Sequence, residues 1–280
     1  MSAMRNWIVA LCLASPPGLA AAGDVEIAAR AGQAFPFYQQ SFRFDPGPLL
    51  LPALPGVSVD PVQDLRIDAR GGLTVGGGLA WYPRDHFGVE WRVDSVDLKA
   101  RAQEAVVHVR VDLAPLLPLI ATDLSIPSTV QVDRPKPLSL NLRARTRGSF
   151  RAHASAGLSY LPSLGASIRS ALQTTGPTFF GFPLQLARLA VRAEARPEGE
   201  SRFGFNAGGG FQWPMLRRLS MEVDGRYFRF ARQTLNWTGE PGLTLSPTEQ
   251  LLLQQTLASL GPVRFTPTFF QVTGGLSLRF

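Results

Sequence analysis

Apolar and polar residues alternate with a period of two along much of the chain. From Leu65 to Tyr82 the odd positions are Leu65, Ile67, Ala69, Gly71, Leu73, Val75, Gly77, Leu79 and Trp81, while the even ones include Arg66, Asp68, Arg70 and Thr74. Residues 87–94 set Phe87, Val89, Trp91 and Val93 against Glu90, Arg92 and Asp94, and residues 219–227 set Leu219, Met221, Val223 and Tyr227 against Ser220, Glu222, Asp224 and Arg226. The same phase recurs over 150–160, 202–213 and 268–280. A period of two places one residue type on each face of a strand. Alternation alone also suits a soluble sandwich, whose apolar faces meet in a core.

Three further features favour a membrane barrel. Aromatic residues gather at strand ends: Trp81, Phe87, Phe150, Trp213 and Phe280 near short turns, and Phe35, Phe37, Tyr38, Tyr227, Phe228 and Phe230 near the opposite ends, as two interfacial girdles would. Connections alternate between tight turns at 83–86, 147–149 and 214–218 and long segments at about 45–63, 99–137, 162–201 and 239–263. Short turns on one side and long loops on the other are barrel topology. The sequence also finishes on an alternating strand in which Val272, Gly274, Leu276, Leu278 and Phe280 share one face. Beyond residue 22 no uninterrupted apolar run approaches the roughly twenty residues of a spanning helix, since Leu113–Ala121 is broken by Pro115 and Pro118.

The pattern predicts eight strands, at about 25–38, 64–82, 87–98, 138–147, 150–161, 202–213, 219–232 and 267–280. A strand tilted near 40° advances about 2.5 Å per residue along the axis, so about ten residues cross an apolar band of roughly 25 Å. Val106–Leu113 and Leu184–Arg196 also alternate. They are either extracellular extensions or an extra pair of spanning strands, which would make ten.

Residues 1–22 stand apart. Arg5 is their sole charge, an apolar run covers Trp7–Ala14, and Ala20-Ala21-Ala22 precede Gly23. This is the build of a secretory signal peptide cleaved after Ala22, which leaves residues 23–280 as the barrel. The one cysteine of the 280-residue chain, Cys12, leaves with it, and three histidines offer little for a metal centre. Neither metal nor cofactor is expected.

With these residues in view, the chain resembles the small outer-membrane β-barrel proteins of Gram-negative bacteria, in the eight-stranded OmpW-type layout. The segments that carry the resemblance are GLTVGGGLAWYPRDHFGVEWRV from Gly72 to Val93, PLSLNLRARTRGSFRAHASAGLSY from Pro137 to Tyr160, FGFNAGGGFQWPMLRRLSMEVDGRY from Phe203 to Tyr227, and the terminal FFQVTGGLSLRF. The resemblance implies an outer-membrane location. It further implies that Leu276, Leu278 and Phe280 form the signal read by the barrel-assembly machinery.

An eight-stranded barrel is just wide enough to hold its own side chains. The inward set predicted by phase is Glu26, Arg30, Arg66, Asp68, Arg70, Glu90, Arg92, Asp94, Arg151, Glu222, Asp224 and Arg226. Its mixed signs favour mutual pairing into a structural plug, because an unpaired charge there would cost several kcal/mol. A selective polar pore is the competing reading. Glycine triplets at 76–78 and 208–210 lack the helix and the Lys-Ser/Thr of a phosphate loop and instead relieve crowding inside a narrow barrel. His153 and Ser155 have the His-x-Ser spacing of outer-membrane lipid A deacylases, but no Asp or Glu occurs between Asp133 and Glu194 to orient the histidine. Both read as polar filler.

The long connections are unusually rich in leucine at Leu49–Pro55, Leu113–Ile120 and Leu251–Leu260. The last predicts a helix: Ser246 caps, Pro247 fits the first turn, Glu249 completes a capping box, Leu253, Leu257 and Leu260 share a face, and Gly261 ends it. The +7 net charge carries no basic run suited to nucleic acid. Lipopolysaccharide phosphates are the better anionic partner, for Arg188, Arg192, Arg196, Arg229 and Arg232. The functional expectation is a non-enzymatic outer-membrane barrel with a structural or surface-interaction role. Alternatives are a channel for small hydrophobic solutes, with an apolar ligand held by the loops, and more remotely a lipid A-modifying enzyme.

Overall fold

The computed structural model describes residues 23–37, 39–44, 57–59, 63–68, 70–98, 101–111, 120–162, 164–171, 173–175, 188–195, 202–239, 247–259 and 262–280. Eight antiparallel strands close into a ring: β1 (Asp24–Pro36), β2 (Gly72–Arg84), β3 (Phe87–Val96), β4 (Leu138–Arg145), β5 (Arg151–Tyr160), β6 (Phe203–Pro214), β7 (Leu219–Phe230) and β8 (Thr268–Arg279). Each strand pairs with its neighbours in sequence. β8 then returns to β1, with Glu26 opposite Arg279 and Phe35 opposite Phe270. This is an up-and-down barrel of eight strands, and each predicted segment contributes one of them, the segment 64–82 only from Gly72 onward.

The ten-strand alternative is corrected by the same topology. Val106–Leu113 falls mainly in the strand Arg101–Val111, and Leu184–Arg196 contains the strand Arg188–Ala195, and neither joins the ring. Both belong to a second sheet in the order 263–265, 233–239, 188–195, 165–171, 120–132, 101–111 and 57–59. Each of its first six strands lies next along the chain to β8, β7, β6, β5, β4 and β3 respectively, so the sheet repeats the order of the ring. Backbone groups left at the long-connection end of one barrel strand are thus met by an extension of its neighbour. Much of what was expected as loop is therefore a continuation of the wall.

Side-chain polarity is inverted relative to a water-soluble protein. Glu90, Arg92, Asp94, Asn141, Asn206, Glu222, Asp224, Arg226 and Gln271 are buried inside the ring, whereas Leu73, Trp91, Leu142, Leu158, Phe205 and Leu276 are exposed on its outer face. Strand parity makes both facts one fact, since residues i and i+2 share a face. An apolar belt around a polar, side-chain-filled interior is the physics of a barrel solvated by hydrocarbon. Among the described residues no helix is long and apolar enough to cross a membrane.

Rings cluster at both rims of the belt. At the short-turn end Phe150 lies 5.2 Å from Phe211 and 5.5 Å from Trp213, centroid to centroid, and at the other end Tyr160 meets Phe203 at 5.2 Å. Phe35 and Phe37 are exposed as expected, while Tyr38 lies outside the described residues. Phe228 and Phe230 correct the girdle. They are buried in the lumen and stack with Phe269, at 4.8 Å from Phe228 and 6.2 Å from Phe230. The cause is phase: Glu222, Asp224, Arg226, Phe228 and Phe230 are all even positions of β7 and point the same way.

The predicted helix is present as α1 (Pro247–Ser259), packed against the strands 188–195 and 233–239. Leu253 approaches Gly239, and Leu253 and Leu257 are half-buried, as their shared face required. Its cap Ser246 and the segments 1–22, 49–55 and 113–119 lie outside the described residues.

Candidate functional site: a charged network across the lumen

The inward face of β3 carries Glu90, Arg92 and Asp94, and that of β7 carries Glu222, Asp224 and Arg226. These two strands stand four places apart in a ring of eight, on opposite walls. Their side chains nonetheless meet. Arg92 Nη1 donates to Asp224 Oδ1 at 2.6 Å and Arg226 Nη2 donates to Glu90 Oε2 at 2.9 Å. Arg92 Nε also reaches Asp94 Oδ2, on its own strand, at 2.7 Å.

Other strands complete the network. Arg30 of β1 donates to Glu222 and, at 3.0 Å, to Glu90; Arg143 of β4 lies 3.4 Å from each of the same two carboxylates. Among the described residues, four carboxylates (Glu90, Asp94, Glu222, Asp224) are thereby shared by four guanidiniums (Arg30, Arg92, Arg143, Arg226), all of them buried. Charge is balanced and no ion stands alone, the condition under which such groups tolerate removal from water. Asn141 donates to Glu90, and Asn206 accepts from Arg226 at 2.9 Å while donating to Asn141 and Ser159. Hydrogen bonds thus run continuously across the lumen.

A second ion-pair cluster lies toward the short turns. Arg145 of β4 joins Glu26 and Asp24 of β1, Arg279 of β8 also reaches Asp24, and Arg151 of β5 lies 3.7 Å from Glu26. The Arg145 guanidinium sits 3.6 Å above the centre of the Tyr82 ring, a cation–π contact. At the opposite end Phe228, Phe230 and Phe269 stack on one another, and Val96, Leu98, Leu235 and Val263 are buried too. The lumen is therefore stratified into ion pairs, a denser ion-pair layer, and an apolar layer.

The six residues expected to form the interior network (Glu90, Arg92, Asp94, Glu222, Asp224 and Arg226) are all in it, together with Arg30, while Glu26 and Arg151 lie in the cluster toward the short turns. The strand Gln63–Asp68, which carries Arg66 and Asp68, pairs with Gln39–Phe44 outside the ring, and Arg70 is exposed. Arg143 and Arg145 were missed. Their signal was plain: Leu138, Leu140, Leu142 and Ala144 take one parity and Ser139, Asn141, Arg143 and Arg145 the other.

The glycines beside the network make room for it. A Cβ at Gly208 would stand 3.0 Å from Cβ of Arg226, and one at Gly275 would stand 2.8 Å from Cγ of Arg30. Leu276, Leu278 and Phe280 are exposed on the outer face of β8 and just beyond it.

His153 is better supplied than its sequence neighbourhood suggested. Its Nε2 lies 3.1 Å from Asp224 Oδ2, an acid brought from 71 residues away by the ring closure. The pair does not extend to Ser155, whose Oγ accepts from Arg226 Nη2 at 2.8 Å, and among the described residues His153 Nδ1 has no hydrogen-bond partner. A serine nucleophile needs its histidine within hydrogen-bond reach. Here an arginine holds it instead.

The sequence matches no protein-family model and no curated protein. Among solved structures the chain is similar to the outer membrane protein OprG from Pseudomonas aeruginosa, with 12% identity and a TM-score of 0.40 over 92% of this chain and 96% of that one. It is similar also to Neisserial surface protein A, with 9% identity and a TM-score of 0.31 over 92% and 99% of the two chains, and to the outer membrane protease OmpT from Escherichia coli, with 9% identity and a TM-score of 0.39 over 93% and 98%.

Proposed function

We propose that this protein is an integral barrel of the Gram-negative outer membrane, with a structural or surface-interaction role and no enzymatic one. The observation that carries the reading is the charge-balanced network joining β3 to β7 across the lumen, which fills the space an aqueous channel would need. Residues 1–22 direct export and are removed. The short turns face the periplasm and the prolonged wall faces outward. Leu276, Leu278 and Phe280 present the apolar face that the barrel-assembly machinery reads. Exposed Arg229 and Arg232 lie at the outward end, where lipopolysaccharide phosphates are the partner; charge reversal at both should reduce the lipopolysaccharide that purifies with the protein.

The test has two parts. Outer-membrane fractions should yield a species that migrates differently in SDS before and after boiling, and planar bilayers containing it should show no steady ion conductance. Stable open-channel currents would overturn the plugged reading. A protein recovered from periplasmic extract without detergent would overturn the membrane reading altogether.

A second reading, passage or capture of small hydrophobic solutes, is favoured by the buried apolar layer around Phe228, Phe230 and Phe269. Solutes entering there would meet the ion-pair layer beneath and would have to leave sideways. Reduced uptake of apolar compounds by a deletion strain, restored by the wild-type gene, would select it.

A further inference from the structure

The short-turn end holds a feature that the plug does not use. A cavity of about 310 Å³ opens between the β4–β5 and β6–β7 turns, lined by Arg151, Arg217, Arg218 and Arg279 with Ser149 and Ser220, and no acidic residue lines it. That volume is at the lower end of small-ligand pockets, roughly 300–1,000 Å³.

The electrostatics leave this cavity cationic. Just inside it, Asp24 and Glu26 are shared among Arg145, Arg151 and Arg279, so two carboxylates face three guanidiniums. Arg217 and Arg218, exposed on the β6–β7 turn, add two more positive charges. Guanidinium forks match the oxygens of a phosphate group in bidentate geometry, and serine hydroxyls supply further donors.

The surroundings are apolar. Met215 and Leu216 are exposed on the same turn as Arg217 and Arg218, and Phe150 and Trp213 are exposed beside it on the outer face. A cationic pocket bordered on its membrane side by exposed apolar side chains suits a molecule with an anionic head and a greasy tail.

We propose that this cavity binds a phosphate ester, and that its natural source is the head group of an anionic phospholipid in the leaflet facing the short turns. Arg217, Arg218 and Arg279 grip the phosphate, and Leu216 and Trp213 receive the start of the acyl chain. This site stands at the opposite end of the barrel from the arginines assigned to lipopolysaccharide. It goes beyond the proposed plug role and requires only that the barrel be folded in a bilayer.

The test uses the full chain in nanodiscs or detergent, with titrations of short-chain phosphatidylglycerol, short-chain phosphatidylcholine and glycerol phosphate followed by native mass spectrometry and tryptophan fluorescence. Saturable phosphatidylglycerol binding, at least tenfold tighter than phosphatidylcholine, is the expected result. R217E/R218E should lose it at least tenfold while keeping the wild-type gel shift on boiling, so loss of the fold is read separately. L216S should weaken phosphatidylglycerol and leave glycerol phosphate unchanged. Glycerol phosphate binding as tightly as the lipid would keep the phosphate site and overturn its membrane source. Equal binding of both lipids, or binding indifferent to charge reversal in a folded variant, would overturn the site.

Discussion

Arg92 and Asp224 touch across the full width of the barrel, Nη1 to Oδ1 at 2.6 Å, although 132 residues and half the ring separate them. A contact of that kind ties opposite walls together and sets how wide the lumen is. Removing Arg92 alone leaves Asp224 and Asp94 short of a partner in a place water reaches poorly. R92A should therefore destabilise the folded barrel by about 3–5 kcal/mol, whereas replacing Arg92 with Met and Asp224 with Leu together should cost less than the sum of the two single changes. Urea unfolding in lipid vesicles, arranged as a double-mutant cycle, measures the difference. Strict additivity would mean that the pair does not act as a unit.

The outer face makes the opposite demand. Leu142 is 74% exposed and pairs with Ala156, midway along β5, which puts it near the middle of the apolar belt. Arginine there should lower stability by about 2–4 kcal/mol, and arginine at Leu216, on the turn, by about 0–1 kcal/mol. The ratio of folded to unfolded protein in vesicles checks both. Equal effects at the two sites would argue against hydrocarbon as the solvent of this surface.

How much of this was legible in the sequence depends on whether the information is local. The strands and their facing were, because the period of two is a local property and one phase placed Glu222, Asp224 and Arg226 inside and Met221 and Val223 outside. The same phase also places Phe228 and Phe230 inside, although aromatic residues near a strand end have the composition of a girdle, because strand geometry decides facing and rim composition does not. The partnerships were not legible. That Asp224 meets Arg92 and His153 as well as Arg226 on its own strand is decided by ring order and stagger, which no stretch of β7 records. The acid beside His153 illustrates the point: a search along the chain from 133 to 194 finds none, and ring closure supplies one from residue 224.

The glycines of the wall are a packing device, and filling one should show it. Gly208 faces inward, where an added Cβ would lie 2.5 Å from the Gly225 carbonyl oxygen and 3.0 Å from both Cα and Cβ of Arg226. A larger side chain must push the guanidinium off Glu90 and Ser155 or distort the wall. G208L should destabilise the barrel by about 1–3 kcal/mol. G208L combined with R226A should recover only the part of the loss that comes from the outer atoms of the arginine, because alanine keeps Cα and Cβ and the Gly225 carbonyl stays in place. Thermal unfolding followed by gel shift measures both variants. An R226A background that makes G208L worse would place the clash elsewhere.

The apolar layer and the ion-pair layer should separate functionally as they do in space. F228A/F230A empties part of the stack with Phe269 but leaves Arg92, Asp224, Glu90 and Arg226 in their pairs, because those residues lie further along the inward face toward the short turns. Each phenylalanine removed should cost about 3–5 kcal/mol where the site cannot collapse. The barrel should nevertheless stay closed to ions. A variant lacking the β3–β7 bridges, R92A/D224A with E90A/R226A, removes both in charge-balanced pairs and should admit ions, since no other described pair joins β3 to β7. Single-channel recordings of the two variants in planar bilayers separate the layers. Conductance in the phenylalanine variant with none in the charge variant would assign the barrier to the apolar stack and return the lumen to the hydrophobic-solute reading.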